Sequence, residues 1–346
     1  MNRYLNAITV LALIAGTAGA AGTPESDMES EYAVGVFVPG VVDGSPTYEM
    51  LVDGVNQAAG EAGSTSVEIV EGGFDQSTWE EGVMTMAASG GYDLIVTSNP
   101  SMPEIVSTVA EQVPEVNFLV LDGYLEGNDR IHTILFNQRE QAFLSGYFAG
   151  LVTTSGMERT NDAARVGLLA GQEYPIMNDV ILPAYRTGLQ SVTAEGEVDF
   201  RVLGNWFDAG SAQEITADMI SQGSDVVLTI AGGGNQGTIA AAREHSAYVL
   251  WYDDSGYDQA PGIVVGSSFV RQDRATYDAT LAAIRGELTF GDAQILGVAD
   301  GAVSFDTEHS AFTSNVPTDL REEMEDLLER MRSGELTMDM PEQTRR

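Results

Sequence analysis

The 346-residue chain contains no cysteine and no lysine. The first absence excludes disulfides, thiolate metal sites, a thiol nucleophile and a lipid-modified N-terminal cysteine. The second excludes a Schiff-base lysine, a P-loop lysine and a lysine general base, and leaves arginine to supply all 16 basic residues. Histidine is scarce: His132, His245 and His309 stand far apart with no H-x-x-x-H spacing, which argues against a histidine-based metal site. There is no G-x-S-x-G elbow for a serine hydrolase. The stretch 253–258 resembles a calcium loop but lacks its terminal Glu. Nothing in this inventory looks like an active site, and the chain reads as a non-enzyme without a cofactor.

Acid is what the chain has in excess. Its 52 Asp and Glu residues give a formal net charge of -36, which argues against nucleic acid or an anionic membrane surface as a partner. A dense, lysine-free carboxylate surface suits a protein working in high salt, where the repulsion is screened. With 43% hydrophobic residues, the chain is long enough for two domains of ordinary size.

The N-terminus carries one Arg, an apolar run over 7–15 too short to span a bilayer, and Ala18-Gly19-Ala20, a small-x-small site of the kind signal peptidase prefers. Residues 1–20 therefore read as a cleaved secretory signal and 21–31 as a polar linker. The mature protein is expected to be soluble, exported and free of a lipid anchor, hence periplasmic.

From residue 32 onward, short apolar runs alternate with amphipathic stretches. In 32–54, an apolar run (33–38) stops at Pro39-Gly40. A polar loop with Asp43, Ser45 and Tyr48 then leads into a helix whose face carries Leu51, Val52, Val55 and Ala59. Further strands are predicted at 67–70, 94–97, 118–121, 131–136, 166–170, 200–203, 226–230, 248–252 and 263–266. Helices are predicted at 76–88, 102–112, 139–152, 176–192, 212–222, 237–245, 274–285 and 317–331. This alternation predicts an α/β fold with parallel sheets built from βαβ units. Two such runs of similar length predict two lobes with a cleft between them, and the polar insert at 154–163 is the best candidate for a boundary region.

Chemistry-bearing residues collect at predicted strand ends. Asp122 follows Phe118 to Leu121, Asp253 follows Tyr248 to Tyr252, and Trp206 sits in the loop after 200–203. Carboxylates there can accept hydrogen bonds from ligand hydroxyls, and aromatics can stack on a planar ring. Taken singly, each Asp could equally cap a helix and Trp206 could belong to a lobe core. The stretch Gly232-Gly233-Gly234-Asn235-Gln236-Gly237 fits G-x-G-x-x-G between a strand and a helix, with Asp253-Asp254 following. It leaves open a dinucleotide-binding oxidoreductase, a glycine turn offering amides to another ligand, or a plain tight turn.

Several segments in order resemble the basic membrane protein family, which includes the purine nucleoside receptors of bacterial ABC importers. The landmarks are Val36-Phe37-Val38-Pro39-Gly40, Gly91-Tyr92-Asp93-Leu94-Ile95, Pro114-Glu115-Val116-Asn117-Phe118, Phe143-Leu144-Ser145-Gly146-Tyr147-Phe148-Ala149-Gly150, Gln222-Gly223-Ser224-Asp225-Val226-Val227 and Ala231-Gly232-Gly233-Gly234. The resemblance runs from about 32 to 278 and implies a type 1 periplasmic binding protein: two Rossmann-like lobes joined by a hinge of three crossover strands. It implies a first lobe of 32–137 plus 254–290, a second of 138–253 plus 291–334, and a tail of 335–346. It also implies a solute-binding protein of an ABC importer, a membrane permease as partner, and a monomer. The alternatives are a sensory receptor of the same fold or the exported dinucleotide enzyme.

By position, the resemblance places Asp43, Ser45, Asp122, Trp206, Gly232, Gly233, Gly234 and Asp253 in the ligand site. Tyr48 stands for the first aromatic and Arg271 for a sugar-binding lysine, an exchange that replaces a point charge by a planar fork. The expected ligand is a planar heteroaromatic ring with a ribosyl or ribityl tail, either a purine nucleoside or riboflavin, which some spirochaetal relatives bind.

Overall fold

The structure, a computed structural model, describes residues 32–345. The signal and linker readings fall outside these residues. Among the described residues no helix is long and apolar enough to cross a membrane.

Two six-stranded sheets organise the chain. The first half supplies β1 (Tyr32–Val38), α1 (Pro46–Ala62), β2 (Thr65–Glu71), α2 (Trp79–Ala88), β3 (Leu94–Ser98), α3 (Met102–Gln112), β4 (Asn117–Leu121) and β5 (Ile131–Phe136). The second supplies α4 (Gln138–Thr153), β6 (Arg165–Ala170), α5 (Leu182–Val192), β7 (Glu197–Val202), α6 (Ala209–Ser221), β8 (Ser224–Ile230), α7 (Asn235–His245), β9 (Tyr248–Trp251) and β10 (Val264–Val270). Then follow α8 (Gln272–Ile284), β11 (Ala293–Leu296), β12 (Val303–Phe305), α9 (Ser310–Asn315) and α10 (Thr318–Arg332). The sheet orders are β11-β5-β4-β3-β1-β2 and β12-β10-β9-β8-β6-β7. Apart from the outermost added strands, each lobe follows the same doubly wound order, 2-1-3-4-5 counted within the lobe. All pairs are parallel except β10 with β12. The central strands are wholly buried, as β3 and β8 show, because helices cover both faces.

The lobes exchange chain at three places, and two boundaries differ from the sequence reading. The run 254–270 belongs to the second lobe, since β10 pairs with β9, whereas 291–296 belongs to the first, since β11 pairs with β5. The segment 154–163 is not a boundary. It turns within the second lobe, where the Asn161 backbone N–H donates to Asp225 at 2.8 Å and Thr153 Oγ1 donates to the same buried carboxyl at 2.7 Å. The crossings are at Asn137, Arg271 and Gly297, all on the β5/β11 and β10/β12 edges of the sheets.

Glycine explains the most recognisable family segment. A Cβ at Gly146 would lie 2.0 Å from the Tyr185 carbonyl oxygen, and one at Gly188 would lie 2.3 Å from that of Phe143. The backbones of α4 and α5 therefore touch, and no side chain fits between them. Before α5, the helix predicted from 176 opens into a π turn over Met177–Ile181, just ahead of Pro183, which brings no N–H to the ladder.

The tail returns to the hinge. Asn137 Nδ2 donates to the Met338 carbonyl at 2.8 Å, and Arg139 donates to that of Asp339 at 2.8 Å. Met340 is buried with Leu135 of the first lobe and Val180 of the second, beside Ile295 and Ile176. A single methionine thus packs on both lobes at their junction. Met340→Ala should cost about 2 kcal/mol or more in thermal unfolding. An unchanged midpoint would show that the tail does not hold the hinge.

Candidate ligand-binding cleft

Parallel strands deliver their loops to the carboxyl edge of a sheet, the usual binding edge of open α/β sheets. Here Asp122 follows β4 and Asp253 lies just past β9, the equivalent strand of the other lobe. Both have left-handed backbone, φ 54° and 74°, among only five non-glycine residues that do so in the described chain. Such conformations cost energy and persist where surrounding structure enforces them.

Two glutamines of α4 reach these acids just after the chain crosses between lobes. Gln138 Nε2 donates to Asp122 at 2.9 Å, and Gln141 Nε2 donates to Asp253 at 3.2 Å. Burial pushes the Asp122 carboxyl up to about 7, and the charge of Asp253 pushes the same way against the Gln138 bond. Burial also raises Asp253 to about 7, opposed by Gln141 and assisted by Asp254. Both residues keep some access to solvent, so the protein closes around them without sealing them. Asp122 and Asp253, each at the carboxyl edge of its own sheet, stand close enough for the charge of the second to raise the first.

Aromatic rings surround the pair. Tyr48, at the start of α1, donates from its hydroxyl to the Pro39 carbonyl at 3.0 Å and accepts from Asn99 Nδ2 at 3.3 Å. Its ring lies against the turn, since a Cβ at Gly40 would stand 2.8 Å from it. Burial raises its hydroxyl to about 12, with a smaller push from Asp122. From the second lobe, Tyr174 lies 6.3 Å from Trp206 between ring centroids, tilted by 48°. Burial, then Asp253 and Asp122, drive the Tyr174 hydroxyl further from ionisation, which places it beside both acids. Tyr252 donates to the Gln138 carbonyl at 3.4 Å under the same group.

The remaining residues expected in the site are placed differently. Trp206 rests on Gly171, where a Cβ would stand 2.4 Å from its six-membered ring, and its carbonyl accepts from Gly233 N–H at 2.8 Å. Gly234 N–H donates to the Ala231 carbonyl, while Ala231 N–H and the Thr229 hydroxyl donate to Asn235 Oδ1. The Gly233 and Gly234 amides are thus occupied within the chain, and the turn packs on Trp206, whose carbonyl a Cβ at Gly232 would meet at 2.7 Å. Asp43 is exposed, and Ser45 heads α1 without capping it through its side chain.

Arg271 departs most from expectation. Its guanidinium grips Asp273 with bonds of 3.0 and 2.9 Å, in a 420 Å³ surface groove with Gln57, Glu61, Arg274 and Tyr277. The next residue, Gln272, turns inward instead, accepting from Ser98 at 3.1 Å and donating to the Thr47 carbonyl at 2.6 Å. Asn99, Gln138, Gln141, Tyr174 and Tyr252 escaped the sequence reading. Asn99 and Gln138 each follow a strand closely, which was the available signal.

A cleft floored by carboxylates and walled by aromatic rings, between two lobes that share three crossings, defines a two-lobed solute-binding protein. The family model described as ABC transporter substrate-binding protein PnrA-like matches residues 32–336, and the chain belongs to this Bmp family. It is thus a substrate-binding protein of an ABC transporter, a class that binds small ligands and meets a permease.

Relatives include the CD4+ T-cell-stimulating antigen of Listeria monocytogenes, 23% identical over 73% of this chain and 72% of that protein. Another is the ABC transporter nucleoside-binding protein BmpA of Lactococcus lactis, 29% identical over 45% of this chain and 42% of that one. Among solved structures, an ABC transporter solute-binding protein of Aeropyrum pernix superposes with a TM-score of 0.76 at 24% identity, covering 90% of this chain and 94% of that chain. A transcriptional activator of comK from Bacillus halodurans shares the fold, with a TM-score of 0.70 at 20% identity over 89% of this chain and 100% of that one.

The raised acids set a pH dependence. Folding raises Asp122 and Asp253 from the ordinary 3.8 to about 7, so the folded chain binds more protons than the unfolded chain between those limits. Their contribution to stability is complete below the unfolded value and is lost as pH rises through about 7. Asp122→Asn should therefore raise the melting temperature relative to wild type at about pH 8, and the difference should shrink toward about pH 5. A difference independent of pH would contradict the assignment.

Proposed function

We propose that the chain is an exported, unanchored and monomeric binding protein that takes a planar heteroaromatic ring with a ribosyl or ribityl tail, performs no chemistry on it, and hands it to a membrane permease. The observation that carries this reading is the closeness of Asp122 to Asp253, with Tyr48 near the first, Tyr174 near both and Trp206 against Tyr174. Vicinal hydroxyls are donors that satisfy two carboxylates at once, and aromatic faces accept a planar ring by offset stacking. The Lactococcus relative is named as a nucleoside-binding protein, which agrees with this chemistry.

In this reading Tyr48 and Trp206 stack on the ring, Asp122 and Asp253 take the hydroxyls, and Asn99 and Gln138 orient the site. Arg271 is left outside, because Asp273 occupies its fork. Closure of the lobes about the three crossings would desolvate the ligand and strengthen each of these bonds.

A thermal-shift screen with nucleosides, riboflavin and plain sugars tests the reading. A site-specific ligand at 100 times its Kd should stabilise the fold by about 2.7 kcal/mol. A shift with sugars alone would remove stacking from the account. Trp206→Ala should weaken the selected ligand by about 1 to 3 kcal/mol, measured by calorimetry. Unchanged affinity would take Trp206 out of the site.

A further inference from the structure

Large apolar side chains exposed on the surface are confined to two equivalent places. Among the described residues they are Ile69, Phe74, Trp206 and Phe207. The first pair lies on β2 and the loop behind it, the second in the loop behind β7. These are the edge strands of the two sheets, each at the end opposite the chain crossings. Their loops open at the carboxyl edges, which face each other across the cleft, so both sit at its mouth. Phe74 is 77% exposed and Phe207 is 78% exposed.

Neither ring hangs on a loose loop. Ahead of Phe74, Gly72 N–H donates to the Val38 carbonyl at 2.7 Å, Gly73 N–H donates to that of Gly40 at 2.9 Å, and Trp79 Nε1 donates to the Gly73 carbonyl at 2.9 Å. Just after it, Asp75 accepts from Ser77 N–H at 3.1 Å. In the second lobe, Asn205 Oδ1 accepts the amide of Phe207 at 3.0 Å, and Asp208 then accepts from Ser211 N–H at 3.0 Å. Each lobe thus carries a phenylalanine followed by an aspartate that caps the next helix turn, on a turn fixed by hydrogen bonds. Fixed turns that hold an apolar ring out in water are a device for meeting a partner.

We propose that Phe74 and Phe207 are the two docking points for the membrane permease of the importer, one on each lobe, seated in apolar sockets rimmed by basic side chains. The inference rests on the family assignment and sharpens the partner named above. The mouth is the part of the molecule whose spacing changes most when lobes turn about crossings on the opposite edge, so a partner that grips both rings reads closure. The rings do not meet each other: at a lobe separation where Asp122 already feels Asp253, both remain in water. Carboxylates beside the rings, Glu71, Asp75 and Asp208, suit a basic socket rather than the acidic surface of a second copy.

The test uses the importer's permease and ATPase subunits in lipid nanodiscs, with ATP hydrolysis followed as the full-length binding protein is titrated in. The binding protein is loaded with guanosine or riboflavin, whichever the thermal screen selects. Phe74→Ser and Phe207→Ser should each raise the half-stimulating concentration about tenfold, and the double variant more, with ligand Kd within about twofold of wild type. A double variant that stimulates like wild type overturns the proposal. So does a tenfold loss of ligand affinity, which would make the rings part of the cleft. A wild-type dimer in sedimentation that the double variant abolishes would assign the rings to a second copy. If loaded wild-type protein binds its ligand yet never stimulates the ATPase, the importer reading itself fails and the docking points fall with it.

Discussion

Two buried carboxylates that face each other across the cleft are the constraint on which the rest of the structure depends. Asp122 and Asp253 occupy the same position in two lobes of the same strand order, each on left-handed backbone at the end of an inner strand. Burial raises both carboxyls to about 7, and at Asp122 the nearby charge of Asp253 adds to the shift. Two hydroxyl donors on one ligand would relieve the same strain more completely.

Everything around the pair serves to hold it in place while leaving the lobes able to turn. The glutamines that reach the acids come from the first two turns of α4, directly after the crossing at Asn137, so the hinge and the cleft floor share one helix. Tyr48 lies against the Pro39-Gly40 turn, and Trp206 is wedged between Gly171 and the glycine turn at Gly232. Rings fixed in this way lose little conformational freedom when a ligand arrives. The crossings gather on one edge, and the tail packs on both lobes beside them.

Local features were legible in the sequence because they are local. Alternating apolar runs marked the strands, and the strand-end positions of Asp122 and Asp253 marked the floor. Lobe membership was less legible: an apolar strand was marked at 263–266, but which sheet it and Ala293–Leu296 join is decided by packing far away in sequence. Tyr174 and Gln141 carried no mark, one in a loop and the other inside a helix, and only the meeting of the lobes gives them a role. The glycine run at Gly232 left open a ligand turn or a plain tight turn, and the amides of Gly233 and Gly234 bond within the chain. At the start of α8 the chain turns Gln272 inward and leaves Arg271 to its own Asp273, a local arrangement that no sequence pattern marks.

The central claim, that ligand donors replace protons on Asp122 and Asp253, is tested most directly by counting protons. Calorimetric titration of the ligand near pH 7, in two buffers of different ionisation enthalpy, gives the number exchanged on binding. Release of up to about one proton is expected, declining as pH rises well above that value and absent in Asp122→Asn combined with Asp253→Asn. Tight binding with no exchange, or with proton uptake, would contradict it.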